Sequence, residues 1–146
     1  MKSVVFDLDG TLADTSADLI AAANACFEGM GEGSAVLDPA ADAGIAFRGG
    51  RAMLNAGLER LGRPDPAAVE AWYPRLLDAY EAEIDRHTVL YPGAMAAVEA
   101  LRGSGHAVAI CTNKPERLAR ILLDRLGVRE AFGALIGADT LPVRKP

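Results

Sequence analysis

Two carboxylates separated by a single leucine, Asp7 and Asp9, follow the short apolar run Val4-Val5-Phe6 and precede Gly10 and Thr11. A run of that length reads as a buried strand, and the glycine as the turn that ends it. Residues i and i+2 of a strand project to one face, so Asp7 and Asp9 should meet at the strand's carboxyl end. Carboxylates so close repel each other unless a cation or proton sits between them, or one side chain turns away at Gly10. The pair therefore asks for a metal ion or for acid/base work. A calcium loop of the EF-hand type also begins Asp-x-Asp, but it needs an oxygen ligand at position five, glycine at six and glutamate at twelve. Here those positions hold Thr11, Leu12 and Asp18, and leucine cannot make the required turn.

The rest of the chain must position this pair. Thr15 or Ser16 can cap a helix with Asp18 in its first turn, and Leu19, Ile20, Ala23, Phe27 and Met30 recur at helical spacing until the glycines between 29 and 33. An alanine-rich stretch over 39–47 predicts a short helix that ends at Phe47-Arg48-Gly49-Gly50-Arg51. Leu54, Leu58 and Leu61 mark the next helix, closed by Gly62 and Pro64. Val69, Trp72, Tyr73, Leu76, Leu77, Tyr80 and Ile84 form the clearest amphipathic pattern, interrupted by Pro74, where a kink or a junction of two helices is expected.

From residue 92 the rhythm changes. Pro92-Gly93 opens a helix, His106 to Cys111 reads as a strand ending in Thr112-Asn113-Lys114-Pro115, Leu118 to Leu126 as a helix, and Ala134 to Ala138 as a short strand. Strand, helix, strand, helix, strand is the signature of a parallel sheet with right-handed crossovers, in which ligands bind at the strands' carboxyl ends. Both informative loops, 7–11 and 112–114, fall at such ends. The helical segment from about residue 15 to 88 is then an insertion after the first strand, with 12–16 and 86–92 as the two connections.

Composition narrows the function. The 146 residues are 51% apolar and 24% charged, which suits a globular chain, and the formal charge of −5 argues against nucleic acid as a partner. No apolar stretch approaches the roughly 20 residues of a membrane span, and Asp7 and Asp9 cut the first apolar run too early for an export signal. The expectation is a cytoplasmic protein with no membrane partner, a monomer or homodimer. The two cysteines, Cys26 and Cys111, lie far apart without metal-ligand spacing and read as buried thiols.

Asp7-Leu8-Asp9-Gly10-Thr11 after an apolar strand resembles the first motif of the haloacid dehalogenase-like hydrolase superfamily. Thr112-Asn113 resembles its second motif, and Lys145 before Pro146 its third. Together with Tyr91-Pro92-Gly93, Cys111-Thr112-Asn113-Lys114-Pro115 and Leu141-Pro142-Val143-Arg144-Lys145-Pro146, the pattern looks most like phosphoglycolate phosphatases. The resemblance implies an α/β fold: a Rossmann-like parallel sheet core over 1–14 and 89–146, incomplete in this chain, with an alpha-helical cap over 15–88 inserted after the first strand.

It also implies a Mg²⁺-dependent phosphatase acting on a small phosphorylated substrate, 2-phosphoglycolate, through an aspartyl-phosphate. Asp7 would be nucleophile and Asp9 acid/base, with Mg²⁺ held by Asp7 and the Asp9 carbonyl. Thr112, Lys145 and the Asn113 amide would contact the phosphoryl group, and Gly10 and Thr11 would shape the loop around it. Arg48 and Arg51 would grip a substrate carboxylate from the cap. Without the family, Thr112 is a strand-end hydroxyl, Lys145 a solvated lysine, and Arg48 and Arg51 ordinary loop arginines. The alternatives are a phosphosugar mutase of the same superfamily and a truncated, non-catalytic phosphate-binding member.

The family's fourth motif, an acidic pair on a further strand downstream of the lysine, has no counterpart here. Asp139 precedes Lys145 and cannot replace it. The expectation is therefore a chain that continues past Pro146, an apolar Val4-Val5-Phe6 strand left at a sheet edge, and an inactive fragment.

Overall fold

The computed structural model describes residues 2–33 and 35–141. The chain divides into two compact units, one formed by 1–14 with 89–146 and the other by 15–88.

In the first unit, β1 (Ser3–Phe6), β4 (Ala107–Cys111) and β5 (Ala134–Ile136) form a parallel sheet in the order β1-β4-β5 among the described residues. The register pairs Ser3 with Ala107 and Phe6 with Ile110, and Ala109 with Ala134. Helices α5 (Ala94–Gly103) and α6 (Glu116–Arg125) make the crossovers. Both crossovers step in the same direction across the sheet, so right-handedness lays both helices on one face. That face carries Val4, Phe6, Val108, Ile110 and Leu135, and the helices bury Val98, Leu118, Leu122 and Leu123. Val5 alternates to the opposite face and is 61% exposed. Among the described residues the opening strand lies at the sheet edge, as expected, but it is half-exposed where its apolar run had read as buried. Two residues of each connection, β2 (Ala13–Asp14) and β3 (Val89–Leu90), pair antiparallel in this unit, and the Tyr91 amide donates to the Leu12 carbonyl at 3.0 Å.

The second unit is helical: α1 (Ser16–Gly29), α2 (Ala43–Ala46), α3 (Gly50–Arg60) and α4 (Pro66–Ala82). Its core is Ile20, Phe27, Met53, Leu54, Leu76, Tyr80 and Ile84, each 1% exposed or less. A buried side chain of this size contributes about 1.5–3 kcal/mol relative to exposure. Of the two outcomes expected at Pro74, a kink or a junction of two helices, the junction does not occur: α4 runs as one helix through the proline. Asp65 caps that helix by accepting from the Ala67 and Ala68 amides, and Pro66 occupies its first position, where no donor is lost. The alanine-rich segment gives helix only over α2, because Asp38 and Asp42 draw the preceding amides into turns. Cys26 is buried as expected, whereas Cys111 is half-buried.

The most invested polar group of this unit is Asp18, only 2% exposed. Its carboxylate accepts from the amides of His87 and Thr88 and from the Thr88 hydroxyl, at 2.8–3.1 Å. A first-turn acid that also complements the helix dipole thereby ties α1 to the chain that leaves the unit. Among the described residues, no helix is long and apolar enough to cross a membrane.

Two predictions follow from this packing. A Cβ on Gly57 would lie 2.0 Å from the Phe27 ring, which is fully buried and cannot retreat, whereas Gly44 in α2 has open space. Denaturant unfolding should show Gly57→Ala destabilised by about 1–3 kcal/mol and Gly44→Ala neutral or stabilised by up to about 1 kcal/mol.

The second concerns acid. The Arg60 guanidinium donates to both Asp42 oxygens at 2.9 and 3.0 Å, and the Asp38 amide adds a third bond. These bonds, the guanidinium first, lower the Asp42 carboxyl from 3.8 to about 2. A depressed carboxylate contributes stability above its unfolded value and loses it as pH falls through the folded value. Thermal melts of the parent and Arg60→Met should therefore converge between about pH 4 and pH 2.

Candidate active site

The register of β1 against β4 makes the two strands end level. Phe6 pairs with Ile110, so Asp7 to Thr11 and Thr112 to Lys114 leave the sheet at the same carboxyl edge. Leu8 points into the core at 0% exposure, which directs Asp7 and Asp9 the other way. β1 itself stops at Phe6, so the pair sits on the turn rather than in the strand. Asp7 is exposed and its Oδ1 accepts the Leu8 amide at 2.8 Å, while the Asp9 side chain is 13% exposed.

The turn closes on one oxygen. The amides of Thr11, Leu12 and Ala13 converge on the Leu8 carbonyl at 3.0–3.3 Å, and the Gly10 amide reaches the Ala13 carbonyl at 2.9 Å. Gly10 has φ 79°, a left-handed conformation that a residue with a Cβ adopts at a cost.

Thr112 is 2% exposed, and its hydroxyl accepts the Lys114 amide at 3.1 Å, folding the loop back on itself. Lys114, 7% exposed, turns inward, and its ammonium pairs with Asp9 Oδ1 at 3.1 Å. The Lys114 carbonyl accepts the Ala138 amide at 2.9 Å, and the Thr112 amide donates to Ile136 at 2.9 Å. Lys114 is thus joined by its side chain to the acidic turn after β1 and by its main-chain carbonyl to the segment after β5.

Gly137 lets that third segment approach. A Cβ there would lie 2.4 Å from the Glu116 amide nitrogen and Cα. Asp139 Oδ1 accepts the Glu116 amide at 2.9 Å, and the Thr140 hydroxyl donates to Glu116 Oε1 at 3.1 Å and accepts the Gly137 amide at 2.7 Å. Asp139 is therefore spent on the start of α6.

The structure brings Asp7, Asp9, Gly10, Thr11, Thr112 and Asn113 to one edge of the sheet. Lys145 lies outside the described residues. In the helical unit, Arg48 is exposed in the turn before α3. Arg51, also exposed, is engaged: it donates to both Glu70 oxygens at 2.9 and 3.3 Å and stacks 3.9 Å from the Tyr73 ring centroid. Lys114 is the residue that the motif reading passed over. No local pattern marks it, because its burial depends on pairing with Asp9 from a distant part of the chain.

A model of the haloacid dehalogenase-like hydrolases matches residues 1–146. The chain belongs to this family. Relatives of this hydrolase named phosphoglycolate phosphatase include one from Cereibacter sphaeroides, 39% identical over 147 residues that cover 100% of this chain and 66% of the relative. Another, from Xanthomonas campestris pv. campestris, is 39% identical, with 99% and 63% covered. The crystal structure of a predicted phosphoglycolate phosphatase from Haemophilus somnus 129pt superimposes with a TM-score of 0.84 at 22% identity, covering 100% of this chain and 66% of the other. The chain thus spans a little under two thirds of the length of the curated relatives it matches.

The donors at the β1 edge are all oxygen, which suits a hard cation such as Mg²⁺. Asp7 and the Asp9 carbonyl could supply only part of a coordination shell, and among the described residues no cluster of three or more His, Cys, Asp or Glu side chains could hold a metal.

The close approach at Gly137 is testable. Gly137→Ala must displace backbone rather than a flexible side chain, and should cost about 1–3 kcal/mol in denaturant unfolding. A stability equal to the parent's would contradict the described packing of β5 against α6.

Proposed function

We propose that this family member is a Mg²⁺-dependent phosphatase that hydrolyses 2-phosphoglycolate or a similarly small phosphomonoester through an aspartyl-phosphate. The observation that carries the reading is the meeting, at one sheet edge, of two carboxylates from the turn after β1 with a hydroxyl and an ammonium from the turn after β4. The names of the relatives support the substrate.

An Asp7 oxygen attacks phosphorus as the bond to the ester oxygen breaks, and Asp9 gives its proton to the departing alkoxide. Water then attacks the acyl-phosphate, Asp9 takes a proton back, and the bond between phosphorus and Asp7 breaks to release phosphate. The exposed Asp7 can reach a substrate, and the buried Thr112 hydroxyl and the Asn113 amide supply polar contacts that do not reorganise. Lys145 would add charge to the phosphoryl site. Mg²⁺, held by the Asp7 carboxylate and the Asp9 carbonyl, would neutralise the charge that otherwise keeps carboxylate and phosphate apart.

The helical unit 15–88 would act as the cap that excludes water and selects the leaving group. Of the two arginines expected to grip a substrate carboxylate, Arg51 would first have to leave Glu70 and Tyr73.

The test is phosphate release by the complete natural chain from 2-phosphoglycolate with and without Mg²⁺. Asp7→Asn should lower turnover by about a thousandfold or more and abolish acid-stable labelling of the protein by the phosphoryl group. Unchanged turnover in Asp7→Asn would remove the nucleophile assignment.

A further inference from the structure

We infer that Lys114 is a positioning residue for the acid/base carboxyl of Asp9, an inference that rests on the function proposed above. A lysine is rarely buried unless paired, yet the Lys114 side chain is 4% exposed and its ammonium lies 3.1 Å from Asp9 Oδ1. Its main chain is held at both ends of the residue: the amide by Thr112 Oγ1 at 3.1 Å, and the carbonyl by the Ala138 amide at 2.9 Å. The backbone from which the ammonium extends is therefore fixed to the sheet edge, and the buried side chain places the ammonium beside Asp9.

Asp9 sits in a turn whose backbone is fixed through Leu8 and Gly10, and the orientation of its carboxyl group is set by what that group bonds. General acid catalysis needs that group within hydrogen-bond reach of the leaving oxygen, and a misplacement of about 1 Å can cost about a hundredfold. The ammonium supplies a charge-assisted bond to Oδ1, which leaves Oδ2 to carry the proton and favours one side-chain orientation. Lys114 thereby acts on the leaving group only through Asp9.

This role has a signature that phosphate binding or simple stabilisation lacks. The alkoxide leaving from 2-phosphoglycolate needs the proton, whereas the p-nitrophenolate leaving from p-nitrophenyl phosphate departs without it. In the complete natural chain with Mg²⁺, Lys114→Met should slow single-turnover transfer of the phosphoryl group to Asp7 about 100-fold with 2-phosphoglycolate and less than about threefold with p-nitrophenyl phosphate. Lys114→Arg, which keeps the charge, should recover most of the loss. In an Asp9→Asn background, Lys114→Met should add nothing, because the two changes remove one function.

Equal slowing with both esters, or additive losses in the double variant, would overturn the inference. A measurement that needs no variant and no metal stands beside these: the parent protein, labelled with ¹⁵N at lysine Nζ and ¹³C at aspartate Cγ, should show a coupling across the hydrogen bond between Lys114 and Asp9. Its absence would equally overturn the inference. Asp7→Asn separates the two levels. If it abolishes phosphoryl transfer while the Lys114 criteria fail, the phosphatase reading stands and only the role of Lys114 falls; if it changes nothing, the phosphatase reading itself fails.

Discussion

The parallel pairing of β1 with β4 is the constraint on which the site depends. Residues more than 100 positions apart in sequence leave the sheet level with one another because Phe6 faces Ile110 across the ladder. The ladder is also the only route by which the acidic turn and the basic loop could meet, since neither contains both charges. A slip of one residue would reverse the faces of the strand. Leu8 would then leave the core and the carboxylates would enter it. Register, hydrophobic alternation and the position of the acids are one decision.

Around that ladder, the loops lock each other. Thr112 holds Lys114, Lys114 holds Asp9, and the Lys114 carbonyl holds Ala138. Asp139, Thr140 and Gly137 then secure the segment after β5 to the start of α6. Many polar groups of these turns bond to one another, which helps hold charged residues at a sheet edge in defined orientations. The helical unit shows the same economy in Asp18, whose one carboxylate takes the donors of two successive residues, His87 and Thr88.

The sheet's two faces differ. α5 and α6 cover one, where Val108 and Ile110 are buried, and Val5 on the other is 61% exposed. A parallel sheet ordinarily has both faces covered.

The sequence by itself determined the order of the elements, because apolar periodicity and glycine punctuation are local signals: the strand before Asp7, the helices around Phe27 and Leu54, and the strand ending at Cys111 are all legible in it. It also determined the chemical types at the site, since Asp7, Asp9 and Thr112 carry their spacing with them. Pro74 left a kink and a helix junction both open, and tertiary packing decided for one continuous α4, because a missing backbone hydrogen bond is a local cost that packing can outweigh. Lys114 was passed over because burial of a lysine depends on a partner 105 positions earlier in the chain, Asp9, and no local pattern encodes that. Arg51 could be seen as a cation but not as one already stacked on Tyr73 and bonded to Glu70. Tertiary structure alone decided which charges meet, because an ion pair is a relation between distant residues that only the folded backbone brings within reach.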